Sequence, residues 1–152
     1  MKVHEVAVYR ETGYVILNRC RGEFGSNGGM NFITDASDSV IGDRVNAVCL
    51  DQFCQDQKID QIDLLKLDIQ GQEHSALIGA IDLLQSGRVR MIFMELNWAN
   101  GAADSCPATE SVRLLKRAGF KFAKPDMPLV WREAGDWLLP LNDIVARPVK
   151  LH

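Results

Sequence analysis

The hydrophobic pattern is densest over residues 62–96, IDLLKLDIQGQEHSALIGAIDLLQSGRVRMIFMEL. Ile62, Leu64, Leu65, Leu67 and Ile69 form one apolar run, and Val89, Met91, Ile92, Phe93, Met94 and Leu96 form another. Both are too continuously apolar for strands with one wet face, so the pattern predicts strands buried on both faces, as in a helix-covered parallel sheet. Between them Leu77, Ala80, Ile81 and Leu84 recur at helical spacing, and Ser86-Gly87 supplies a stop. The unit reads as a strand–helix–strand crossover, which is right-handed in parallel sheets.

Elsewhere the pattern is weaker. Residues 3–9 and 14–17 are β-rich and flank a link with Gly13, predicting an N-terminal β-hairpin. Residues 22–42 are rich in Gly, Ser, Asn and Asp and read as a long loop. Its SNGG lacks the spacing of a phosphate-binding turn. Residues 45–50 predict a strand, followed by a short helix that Asp51 would cap and that would carry Phe53 and Cys54 inward. Residues 97–107 are turn-rich, residues 109–118 helical with Gly119 as the stop, and residues 120–123 and 143–146 the last strands. Trp131 and Trp137 fall in the link between those strands. No segment repeats.

The acids make the central unit more than scaffold. Asp68 falls near the carboxyl end of its first strand and Glu95 near that of the second, the edge where open α/β sheets bind ligands. Gln70, Gly71, Gln72 and Glu73 fill the intervening turn, where the amides of a helix start favour anionic or polar ligand atoms. The loop with Asn97 and Trp98 would face a substrate from the same edge. A purely structural reading stands beside this one: Asp68 or Glu73 caps the helix, and Lys66 pairs with either acid.

Composition narrows the classes. With 152 residues, 47% of them hydrophobic, the chain suits one domain, which would bury roughly 68–70% of its unfolded surface. The net charge of −3 is spread without a basic block, which argues against nucleic acid or an anionic membrane as partner. No apolar run reaches the roughly 18 residues of a membrane span, and no signal peptide is evident, so the expectation is a soluble, cytoplasmic protein. The four cysteines lack CxxC spacing and the three histidines are scattered, so neither zinc nor a redox pair is expected. His74 reads as an exposed helix residue. Ser75 and Ser86 lie in or at the end of a helix without a GxSxG turn, which argues against a small hydrolase.

The series CLDQF, IDLLKLDIQGQEHSALIGA and VRMIFMEL, followed by LLKRAGF, resembles the later half of the FkbM-type methyltransferases. The correspondence falls on Leu50-Asp51, on Lys66, Asp68, Gly71 and Glu73, and on Glu95; VHEVAVYRETGYVIL resembles that family's third strand and hairpin extension. The resemblance implies a Rossmann-like class I methyltransferase fold, α/β with a mostly parallel sheet and flanking helices. It implies S-adenosylmethionine as cofactor and O-methylation of a small-molecule hydroxyl acceptor, such as a sugar. It assigns Asp68 and Glu95 catalytic roles, Asp68, Gln70 and Gly71 cofactor contacts, and Glu73, Asn97 and Trp98 substrate contacts. The family's first strand, Gly-rich turn and second strand have no counterpart here, so the domain over residues 1–152 reads as truncated. Three readings follow: a piece of a longer methyltransferase, a complete protein that reorganised its sheet or pairs with another copy as a homo-oligomer covering the exposed sheet edge, or a non-catalytic binding module.

Overall fold

The computed structural model describes residues 2–18, 32–34, 42–69, 71–96, 106–125, 129–135, 138 and 143–149. They form two four-stranded sheets. The first contains β1 (Ala7–Val8), β2 (Gly13–Asn18), β3 (Phe32–Thr34) and β4 (Asp43–Val48), in the order β1-β4-β2-β3. The second contains β5 (Leu65–Leu67), β6 (Ile92–Glu95), β7 (Phe120–Ala123) and β8 (Asp143–Pro148), in the order β5-β6-β8-β7.

The class is α/β, but the sheets are mixed. Only β1 with β4 and β5 with β6 run parallel; β2 is antiparallel to β3 and β4, and β8 is antiparallel to β6 and β7. The expected mostly parallel sheet is therefore corrected. The reason is connectivity: the helix-bearing links from β5 to β6 and from β6 to β7 carry the chain back in one direction, and β8, antiparallel to both β6 and β7, inserts between them. The expected hairpin of residues 3–9 with 14–17 is corrected too. β4 inserts between β1 and β2, so the strand that pairs with β2 on its other side is β3.

The central unit forms, with differences at its middle. Helix α2 (Glu73–Ile78) stops at Gly79, and α3 (Ile81–Gln85) begins after Ala80. A Cβ on Gly79 would lie 2.3 Å from the Tyr9 carbonyl oxygen and 3.0 Å from the Cys49 Cβ. The helix thus breaks where the end of β1 crosses it, and glycine is what lets the backbones approach. Leu77, Ala80, Leu83 and Leu84 are fully or almost fully buried, joined in one core by Ile92, Met94, Leu115, Phe120, Phe122 and Ile144.

The first apolar run is not buried on both faces. Leu67 is buried and Leu65 half-buried, but Leu64 is 57% exposed and the Lys66 side chain 60% exposed. One face of β5 meets the core while the other meets solvent, and on its outer side β5 has no strand among the described residues. In β6 the burial alternates, with Ile92 and Met94 inside and Phe93 and Glu95 half-buried.

Around this unit, α1 (Leu50–Asp56) packs on α3, and α4 (Pro107–Arg117) packs on α2. Helix α4 starts two residues before the expected Thr109: Pro107 takes its first position, and the Cys106 sulfur accepts the Thr109 N–H at 3.5 Å. After β7 the chain folds back, Phe122 and Arg132 exchanging backbone hydrogen bonds of 2.8 and 2.7 Å. Among the described residues no helix is long and apolar enough to cross a membrane.

Candidate functional site at the carboxyl edge of the second sheet

The β5–β6 register pairs Leu65 with Ile92, Lys66 with Phe93 and Leu67 with Met94. The next step along both strands brings Asp68 and Glu95 to the same edge, as their places after two apolar runs implied. Antiparallel β8 adds Asp143, the Cα partner of Glu95. Sequence reading missed Asp143, because an acid at the start of a strand reaches this edge only if that strand runs backwards.

Glu73 does something other than line a rim. It is only 3% exposed, and its Oε1 accepts the Ile69 N–H at 3.0 Å. The carboxylate therefore reaches back from the first turn of α2 to hold the end of β5, a helix-start contact that satisfies a backbone donor. Gly71 lies between them with φ of +92°, a left-handed conformation that suits glycine. Together they fix the tight exit of the chain from β5. The expected helix cap is not what forms: Gln72, at the N-cap of α2, makes no side-chain cap, and Glu73 holds the backbone before the helix instead.

Asp68 remains half-exposed, with the Lys66 ammonium donating to its Oδ2 at 3.0 Å. Of the two acids open to Lys66, Asp68 is thus the partner. Glu95 sits inside the acidic edge: burial first, and then the charges of Glu73, Asp68 and Asp143, push its carboxyl above the usual range. A group whose charged form is disfavoured by its neighbours is suited to meeting a cation or taking up a proton. Gln70, Asn97 and Trp98 lie outside the described residues.

His74, expected to be exposed, is half-buried, and its Nδ1 is buried without a hydrogen-bond partner. It follows Glu73 on the helix that packs on α4; burial lowers its pKa, and the Glu110 charge on α4 partly opposes this. Asp51 does not cap its own helix, whose start at Cys49 has no side-chain cap. Instead its two carboxylate oxygens accept the Asp82 and Leu83 N–H groups at 3.1 and 3.0 Å, capping α3 across the fold. The expected metal-free reading concerned spacing alone; among the described residues no group of three or more His, Cys, Asp or Glu could hold a metal ion.

With this geometry in place, comparison with known proteins decides the family. A model of the methyltransferase FkbM domain matches residues 9–122. The chain belongs to the FkbM methyltransferase family. The match takes in Asp51, Lys66, Asp68, Gly71, Glu73 and Glu95, while Asp143 falls beyond it. The AMB antimetabolite synthetase AmbE of Pseudomonas aeruginosa is 31% identical over 113 residues, which are 70% of this chain and 5% of that protein. This FkbM-family chain therefore spans about a twentieth of the length of that relative. No solved structure matches it.

Proposed function

We propose that this FkbM-family chain carries the acidic edge of an S-adenosylmethionine-dependent methyltransferase site, acting on a hydroxyl of a sugar or another small metabolite. The observation that supports it is the set of four carboxylates, Asp68, Glu73, Glu95 and Asp143, around the adjacent ends of two parallel strands and one antiparallel strand. Three of them raise the pKa of Glu95, so a cation placed there relieves repulsion. S-adenosylmethionine suits that donor set because it carries both a sulfonium and an ammonium charge. When bound it supplies an electrophilic methyl carbon, and the electron pair of the broken S–C bond stays on sulfur.

The residues then divide the work. Asp68, at the end of β5 and half-exposed, orients the acceptor hydroxyl and takes its proton as the new O–C bond forms. Lys66 holds Asp68 in place through the 3.0 Å contact. Glu95 and Asp143 hold positive charge at the edge. Glu73 and Gly71 set the turn that puts Asp68 there, and act by positioning. Small metabolites, with neither nucleic acid nor membrane, are the partners this acidic edge favours.

A second reading is supported by the outer side of β5, where no strand lies among the described residues. A chain with such an edge can contribute its acids to a site completed by another segment, or serve as a binding module without catalysis. Cofactor affinity separates the two readings. Calorimetric titration with S-adenosylmethionine and S-adenosylhomocysteine should show saturable binding that weakens in Glu95→Gln. A folded chain that binds neither would overturn the enzyme reading.

A further inference from the structure

The outer edge of β5 is self-complementary. The Leu65 N–H donates to the Met91 carbonyl at 2.9 Å, so residues 65 and 67 turn their backbone groups toward β6. By strand alternation Lys66 turns its N–H and C=O to the outer side, where no strand lies among the described residues. Its side chain and that of Asp68 stand on the exposed face, away from buried Leu67. A short edge with a central lysine is a common guard against indiscriminate pairing, yet here the charges select one partner.

Two copies can join through this edge about a two-fold axis in four registers centred on residues 65–68, and the one centred on Leu65 sets Lys66 against Leu64 without a charge pair. Centred on residue 66, the pairing sets lysine against lysine. Centred on residue 68, it sets aspartate against aspartate. Centred on Leu67, it sets Lys66 opposite Asp68 of the partner subunit, and by symmetry does so twice. That register also makes residues 66 and 68 a hydrogen-bonded pair, as the outward backbone of Lys66 requires. Like charges opposed across strands are unfavourable and opposite charges favourable, so of the four the register centred on Leu67 stands out.

We propose that the chain forms an isologous dimer through antiparallel pairing of β5 with β5 of a second copy, centred on Leu67. The two second sheets become one eight-stranded sheet, and Lys66 of the partner subunit stands beside Asp68 at the acidic edge. The pairing rests on strand geometry and charge and is independent of the methyl-transfer reading.

The test is a charge swap, read by sedimentation equilibrium of the full chain without cofactor. The wild-type mass should rise with concentration from 17.0 kDa toward twice that value. Lys66→Asp, and separately Asp68→Lys, should each weaken the dimer about tenfold, because two symmetric pairs become repulsive. The double variant should return to within about twofold of wild type, since each pair is merely reversed. Lys66→Glu serves if Lys66→Asp fails to fold. Amide exchange over residues 64–68 should slow with rising wild-type concentration. A monomer at every concentration would overturn the proposal, as would a dimer that ignores the single reversals.

Discussion

Replacing Asp51 by alanine tests how the crossover is held. The carboxylate spans two helices: its backbone N–H donates to the Gly79 carbonyl at 2.8 Å, while its two oxygens cap Asp82 and Leu83 of α3. Losing a side-chain cap costs about 0.5–2 kcal/mol. Here two donors lose their acceptor, and a negative charge is lost beside a helix start, which adds about 0.3–1 kcal/mol at a partly exposed site. Asp82 in the same turn offsets some of that gain, because it opposes a second negative charge. We expect Asp51→Ala to cost about 2 kcal/mol and to lower Tm by about 4–8 °C for a chain of this size. Asp51→Asn keeps one acceptor oxygen and should lose about half as much. Urea unfolding measures this, with the midpoint moving and the slope unchanged. An Asp51→Ala variant within about 0.5 kcal/mol of wild type would refute the cap.

Other perturbations follow from single contacts. Gly79→Ala places a methyl group 2.3 Å from the Tyr9 carbonyl oxygen, and should cost about 1–3 kcal/mol as β1 and α2 move apart, measured by the same unfolding. Glu95 binds its proton more tightly in the folded chain than in the unfolded one, so between the ordinary carboxyl range and the raised value stability falls as pH rises. Glu95→Gln should therefore be more stable than wild type at pH 7, with the gain gone below about pH 4; a gain independent of pH would count against the acidic edge. Leu77→Ala, at a fully buried position, should cost about 2–5 kcal/mol, and a smaller loss would mean that the core collapses around it.

The sequence made the crossover legible because its signals are local. Two apolar runs, a helical spacing and a Gly-bearing turn lie within residues 62–96, and they place Asp68 and Glu95 at one edge. What it could not show depends on partners distant in sequence. Leu64 looks like a core residue until β5 is seen to have no outer neighbour among the described residues. Residues 3–9 look like half of a hairpin until β4, more than thirty residues on, inserts beside them. Asp51 looks like the cap of the helix it begins, and the break at Gly79 turns it to another. Glu73 was chosen for its place in a turn, and its burial reveals a structural duty.

The open edge and the acidic edge meet at β5. Asp68 belongs to both: it pairs with Lys66 along the outer strand, and its charge contributes to the field at Glu95. Covering the outer side of β5 would remove water from Lys66 and Asp68 and strengthen their interaction, while leaving Glu95 on the neighbouring strand β6. Assembly and chemistry can therefore be probed separately, by mass for the first and cofactor binding for the second.

The central claim is the proposal that the carboxyl ends of β5 and β6, with the amino end of β8, form a site for cationic S-adenosylmethionine. Calorimetric titration in two buffers of different ionisation enthalpy tests it most directly, because a cation beside Glu95 should lower its pKa and release a proton. The account predicts saturable binding with proton release near the raised pKa of Glu95, and binding without that release in Glu95→Gln. A folded chain that gives no binding heat, or binding whose proton release survives Glu95→Gln, would contradict it.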